Sequence, residues 1–420
     1  MSERITEEMM SKNSQAAGAA TPPLIGVAAL MRRAFNGEDL RPLGAQLLAR
    51  AQENPRDANA LLDFSTVLQL TGNRENAMAV QAEAIAMQPY YTLPARQAGP
   101  GLRLLVIMGP GDLMSNTPVE FLLEDTDVSL ELLYLTAQSE WPENVPDHDV
   151  MMVAVAESDA NQPLLQRLVA YVADWPRPVV NLPEHIAVLS RDGVYAALKG
   201  TPGLQMPASV RIGREVLEAL AHGTVEIGSI LPDGGFPVIV RPLGSHAGQS
   251  LEKLAGPEDV AGYLNNVEAE GFFLSRFVDY SGSDGLFRKY RVALVEGRPF
   301  ICHFAVSERW MVHYLNAGMA ESTEKRAEEA AIMRTFDDEF ARRHAVALLA
   351  IHQRMKLPYI AMDCAETASG ELLIFESDNA MIVHAMDPED LFPYKKPAMR
   401  KLFLAFRQML DNARLGQAAG

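Results

Sequence analysis

The chain has 420 residues, with 37 Lys and Arg against 54 Asp and Glu and a formal net charge of −17. That length supports two to four domains, and 48% apolar with 22% charged residues exclude a mainly disordered chain. No basic run of five or more residues interrupts the acidic background, which excludes non-specific binding to nucleic acid or to an anionic bilayer.

Two cysteines, Cys302 and Cys364, have neither the spacing of a zinc site nor the density of a disulfide framework, so a reducing compartment is expected. No apolar run reaches the roughly 18 residues needed to span a membrane, and the N-terminus lacks a secretory core. The expected location is cytoplasmic.

Residues 1–23 are polar and end in Pro22-Pro23, which predicts a disordered leader. Residues 24–92 carry apolar side chains at spacings of three and four, the helical period. Pro55 and Pro89 lie 34 residues apart in the sequence, the tetratricopeptide interval. Leu61, Phe64, Leu68, Ala77 and Ala84 fall where that repeat packs two helices; Ser65 and Gln81 depart from it. Two such units cannot bury a core alone. The segment is therefore expected to dock on the rest of the chain or on a second subunit, either recruiting a protein or peptide or serving as a plain helical cap.

Residues 100–182 alternate strand-like runs at 102–108, 130–136, 150–156 and 178–181 with helical stretches at 118–124 and 162–175. This predicts a small parallel α/β domain. The turn after its first strand, Gly109-Pro110-Gly111, lacks the third glycine of a dinucleotide fingerprint, since Met114 stands there. From 183 to 412 the pattern is mixed α+β. Strands are predicted at 236–241, 271–278, 290–295, 299–305, 359–364 and 372–376, with helices at 192–199, 257–265, 327–356 and 397–411.

Three segments carry chemistry. In 360–381, two apolar strands joined at Ser369-Gly370 end in acids: Asp363 on the first, Glu376, Asp378 and Asn379 on the second. Hard oxygen ligands on neighbouring strand ends suit Mg²⁺ bound to a triphosphate, and burying them without a cation is costly. In 234–254, an apolar strand delivers Arg241 to a small-residue loop, Gly244-Ser245-His246-Ala247-Gly248, whose backbone N–H groups can approach phosphate oxygens. In 271–303, a strand, a Gly/Ser/Asp turn and the cationic run Arg288-Lys289-Tyr290-Arg291 lead into another strand.

In this order and spacing, the three segments resemble the ATP-grasp superfamily, nearest its glutathione-synthetase and ribosomal-protein glutamate-ligase branch. The resemblance covers about 100–412. It implies a two-lobed ATP-grasp fold at 183–412, preceded by a small parallel α/β (pre-ATP-grasp) domain at 100–182. It also implies an ATP-dependent carboxylate–amine ligase working through an acyl phosphate, with ATP and Mg²⁺ (or Mn²⁺) as cofactors. The substrates would be small-molecule or peptide carboxylates and amines, and a homodimer is the family-level expectation.

By the same resemblance, Arg241 replaces a phosphate-binding lysine, and Gly244, Ser245, His246 and Gly248 match the phosphate-covering loop. Arg276, Phe277 and Val278 match the strand whose backbone reads adenine, and Asp279 a ribose contact. Arg291 matches the residue that stabilises the transferred phosphoryl. Asp363 and Glu376 match the Mg²⁺-holding acids, with Asp378 or Asn379 as third ligand. The family's earlier Asp-Lys reads Asp192-Gly193 here, so Arg191 is the candidate replacement cation. Two other outcomes stay open: a nucleotide-sensing scaffold without catalysis, and a kinase acting on a hydroxyl. His303, His313 and His384 lie near predicted strand ends and are read mainly as structural.

Overall fold

A computed structural model describes residues 21–99, 101–232, 234–245 and 248–416. Residues 1–20 of the predicted leader, and His246 of the small-residue loop, lie outside the described residues.

The helical period of the N-terminal segment becomes four helices, Val27–Phe35, Arg41–Glu53, Ala58–Leu70 and Arg74–Met87. The third begins where Asp57 accepts the Ala60 N–H, a side-chain cap that satisfies one otherwise orphaned amide. The segment is not a free-standing repeat module. It runs directly into a strand, β1 (Tyr90–Leu93), that pairs antiparallel with β3 (Val128–Tyr134). Leu30, Leu47 and Leu62 share one core with Leu104, Val106 and Met152 of the α/β sheet. Gln81, where the repeat has a bulky aromatic, is buried. Its amide donates to Gly111 O (2.9 Å), and its carbonyl accepts from Gly111 N (2.7 Å).

The α/β sheet adds β2 (Leu102–Met108), β4 (Val150–Val153) and β5 (Val179–Val180) in the order β1-β3-β2-β4-β5, parallel except for β1. Its central strands are buried on both faces, as near-continuous apolar runs require.

Two further sheets follow. One holds β7 (Ser209–Gly213), β8 (Val238–Pro242), β9 (Glu252–Leu254) and β10 (Gly271–Arg276), antiparallel in the order β7-β10-β8-β9. The period of two sorts its faces. Val238, Val240, Phe272 and Leu274 pack with Leu217 and Tyr263 of helices Arg214–Ala221 and Pro257–Asn266, which leaves Ile239, Arg241, Phe273 and Ser275 for the other face.

The second sheet has the order β12-β11-β13-β14-β6. β11 (Phe287–Val295), β12 (Arg298–Ser307), β13 (Tyr359–Glu366) and β14 (Leu372–Asp378) run antiparallel, and the short β6 (Leu204–Gln205) pairs parallel with β14. The final helix, Lys395–Arg414, packs Met399, Leu402 and Phe406 into the core shared by all three regions.

The single helix expected at 327–356 is instead three pieces: Thr323–Thr335, Phe340–Arg343 and Ala345–Met355. The breaks let Phe336 and Phe340 stack (5.3 Å) and Phe340 lie against Tyr290 (4.5 Å). His344 then bonds Glu366 at 2.8 Å. Aromatic packing overrides the continuous period here. Among the described residues, no helix is long and apolar enough to cross a membrane.

Candidate functional site

The exposed face of the four-stranded sheet looks across a slot at the five-stranded sheet. The slot, about 190 Å³, is lined by Ile239, Phe273, Phe277, Val278, Trp310 and Leu373 among its apolar residues. Arg191, Arg241, Lys289, Asp363 and Glu376 gather among its polar ones. β13 and β14 place Asp363 directly opposite Glu376, and β11 places Arg291 opposite Asp363. β11 breaks register with β12 between Arg291 and Val292, and β13 with β14 between Asp363 and Cys364. Such bulges re-aim side chains beside functional sites.

The carboxylates are tightly paired. Arg291 grips Asp363 with two bonds, Nε to Oδ1 at 2.7 Å and Nη2 to Oδ2 at 3.0 Å. Lys289 Nζ adds a third at 2.8 Å. Burial alone would raise the Asp363 pKa, but the Arg291 and Lys289 charges outweigh it and hold the carboxyl well below the usual range. Glu376, about one-third exposed, pairs with Arg191 and lies 4.0 Å from Arg241. Burial opposes its ionisation too, and Arg191 again prevails, keeping its pKa low.

Arg241 is buried, and its Nε donates to Ser245 Oγ at 3.1 Å; its Nη2 also donates to the Ser245 carbonyl. Burial, with Arg191 nearby, lowers its pKa to about 10. The loop that follows is thus folded back on its own arginine. Gly244 and Gly248 take φ of +70° and +75°, which favours glycine at both.

Gly193, where the resembling family has lysine, has no room for a side chain: an added Cβ would lie 2.3 Å from the Val188 carbonyl oxygen. Arg191, two residues earlier at the start of helix Arg191–Leu198, reaches Glu376 and the Phe375 carbonyl (3.1 Å) instead.

A second cavity, about 540 Å³, adjoins the slot and shares Arg191, Met206, Phe273 and Glu376 with it. Its other walls come from the α/β domain (Asp112, Ser115, Glu157, Asp159) and from Arg74 and Met78 of the helical segment. Glu376 and Arg191 therefore stand on the boundary between two cavities.

Other expected residues fall differently. Arg276, Phe277 and Val278 line the slot, whereas Asp279 is exposed and caps a turn by accepting the Ser281 N–H (2.9 Å). Arg288 is committed to Asp284 (2.7 Å) and Glu328 and leaves the cationic cluster to Lys289 and Arg291. The Asn379 side chain is buried, and its Nδ2 donates to Thr117 Oγ1 (3.1 Å) and the carbonyls of Ala154 and Val155, tying the end of β14 to the α/β domain. His303 and His384 sit in a buried cluster with ring centroids 5.1 Å apart.

Among the described residues, no three His, Cys, Asp or Glu side chains are grouped to hold a metal, and Asp363 and Glu376 are paired with arginines. Their chemistry nonetheless fits a hard divalent cation: opposed carboxylates, Asp378 two residues along β14, and a buried Asn379 Oδ1 without a hydrogen-bond partner. Asp378 is pushed up to about 7, chiefly by burial, as an acid without a cationic partner should be.

Lys289, named in the sequence as part of the cationic run, lines the slot; Trp310 and Met206, which also line it, were not singled out as site residues by sequence reasoning. Lys289 carried a signal, since it alternates with Arg291 on one strand face; Trp310 lies in a loop that shows no period.

No family model matches the chain, and neither does any curated protein. Among solved structures it is similar to the VanG D-Ala:D-Ser ligase from Enterococcus faecalis, at 13% identity and a TM-score of 0.45, covering 76% of this chain and 99% of that one. It is also similar to a RimK domain protein ATP-grasp from Sphaerobacter thermophilus DSM 20745, at 14% identity and a TM-score of 0.40, covering 76% of this chain and 100% of that one. Both likenesses are distant.

Proposed function

We propose that the chain is an ATP-dependent carboxylate–amine ligase of the ATP-grasp type. The observation that carries the reading is the boundary position of Arg191 and Glu376. On one side is an apolar slot ending in cations, and on the other a larger polar cavity. In this reading the base enters the slot that Phe277, Trp310 and Ile239 line, and the phosphates run toward Arg241, Lys289 and Arg291. The second cavity takes the acid and the amine.

A carboxylate is a poor electrophile until one oxygen becomes a leaving group. A substrate carboxylate oxygen attacks the γ-phosphorus and the bond to the bridging oxygen breaks, releasing ADP. The amine then attacks the acyl carbon, loses a proton, and phosphate leaves. Arg241, Lys289 and Arg291 offset the charge on the phosphoryl oxygens, and Arg191 replaces the cation that position 193 has no room for. Asp363, Glu376 and Asp378, with Asn379 Oδ1, would hold Mg²⁺, which supplies further charge neutralisation on the triphosphate. The phosphates take over the arginine and lysine bonds that the acids now accept.

The test is ADP formation from Mg-ATP with pooled amino acids and peptides, and hydroxylamine added to trap the acyl phosphate as a hydroxamate. The reading requires a hydroxamate that disappears in Glu376→Ala and with chelator. Tight ATP binding without turnover would favour the sensing scaffold, and a stable phosphorylated product without amide would favour a kinase.

A further inference from the structure

Residues 379–387, the segment leaving β14, touch the α/β domain, the five-stranded sheet, the helical segment and the final helix. At one end Asn379 is bound to the α/β domain. In the middle, the Ile382 carbonyl accepts from Arg291 Nη1 at 2.9 Å. Next, the Ala385 carbonyl accepts from Arg32 Nη1 (3.3 Å) of the helical segment, and the His384 ring lies 5.6 Å from Phe35. At the far end Asp387 accepts from Lys395 Nζ (3.2 Å) and Tyr314 OH (3.4 Å).

Lys395 is unusual in being almost fully buried with two carboxyl groups beside it. Its Nζ bonds Glu329 Oε1 at 3.2 Å as well as Asp387, and it sits 3.9 Å above the Tyr314 ring. Glu329 is itself fully buried, held by Tyr394 OH (2.8 Å) and the Phe304 N–H (3.2 Å). Buried ionic groups are seldom the most stable filling for a core, and their best-attested use is to fix one arrangement against others.

We infer that the 379–387 segment sets the position of the Arg291 guanidinium, and that Asp387 and Lys395 are the positioning residues that latch it. The inference rests on the ligase reading for the role of Arg291. Arg291 has two kinds of partner, Asp363 and the Ile382 carbonyl. When a phosphate draws the guanidinium from Asp363, Ile382 O is the partner that keeps it oriented. That carbonyl is only as fixed as the segment around it. Arg32 makes the N-terminal helices part of the same restraint, which gives them a role at the site without a recruited partner.

Asp387→Asn is the decisive variant, because it loosens the segment while leaving Lys395 paired one-to-one with Glu329. Arginine side-chain ¹⁵N spectra that resolve the Arg291 Nη groups, assigned through Arg291→Lys, report the bond from Nη1 to the Ile382 carbonyl without any need for turnover. The expected result is a slowly exchanging Arg291 resonance in the native chain that broadens or exchanges rapidly in Asp387→Asn. ADP formation should show kcat falling about tenfold to a hundredfold, as small misplacements do, with KM for ATP within about twofold. Lys395→Met should do the same and Lys395→Arg should restore much of the loss. An unchanged Arg291 resonance in folded Asp387→Asn, or an unchanged kcat where the native chain turns over, overturns the inference. If the native chain forms no ADP, the ligase reading fails separately and the spectra alone decide.

Discussion

Two pairs of acids in this molecule meet opposite fates. Asp363 and Glu376 in the cleft are gripped by arginine and lysine and are held ionised. Asp63 and Glu120, at the seam between the helical segment and the α/β domain, accept backbone N–H groups from Ile25, Gly26 and Ala28 at the start of the first helix. Burial raises Asp63 to about 6 and Glu120 to about 7, and the amide bonds recover only part of it. Burial penalises all four carboxyls; formal positive charge, not hydrogen bonding alone, decides which remain ionised. The cleft is thus built to hand charge to a ligand, whereas the seam is built to hold a helix end.

The largest expected effect comes from breaking the cleft pair. Arg291→Met leaves Asp363 with Lys289 alone, and losing one partner of a buried pair costs about 3–5 kcal/mol in denaturant unfolding. ADP formation should fall by a factor of about 10²–10³, as for loss of a transition-state donor. A variant with native turnover would remove Arg291 from the chemistry.

The seam should respond to pH instead. Between the ordinary carboxyl pKa of about 4 and the raised values, the folded state binds more protons than the unfolded one, so stability falls as pH rises through that window. For Asp63 this is on the order of 2–3 kcal/mol. Melting temperature should therefore drop from pH 5 to pH 8, and the drop should flatten in the Asp63→Asn, Glu120→Gln double variant. The cleft acids, with lowered pKa values, contribute the opposite slope, at pH below the ordinary carboxyl value.

Gln81→Leu removes both bonds to Gly111 and should cost about 1–3 kcal/mol in denaturant unfolding, since it strands a buried donor and acceptor. Arg288→Ala marks the smallest effect. Its ion pairs are partly exposed, so stability should change by less than about 1 kcal/mol and calorimetric affinity for ADP should stay as it was. A clear loss of ADP affinity would return Arg288 to the cationic cluster.

The fold was legible wherever one period ran undisturbed. The strands at 102–108 and 359–364 and the helix at 257–265 lie where the pattern put them, while the strand expected at 271–278 ends at Arg276 and the helix expected at 192–199 ends at Leu198. It was illegible where packing set the chain's course, as at Phe336, Phe340 and His344, which break a continuous helical pattern to stack in the core. Within the site, Asp363, Glu376, Arg241 and Arg291 were readable as charges at the ends of apolar strands. The commitment of Asn379 to the α/β domain was not, because Thr117 and Ala154 lie more than 200 residues away in sequence. Nor was the crowding at Gly193: a missing lysine reads as a loss in sequence, while the Val188 carbonyl shows that no side chain fits there.

β1 bears on the order in which the chain acquires its shape during synthesis. The helical segment's last strand finds its hydrogen-bonding partner only in residues 130–133, about 40 positions later. At roughly 5–20 residues per second, the ribosome delivers that partner a few seconds after the helices have emerged. Until then, Leu30, Leu47 and Leu62 lack the sheet they pack with. The nascent N-terminal helices therefore carry these leucines uncovered until that sheet is complete.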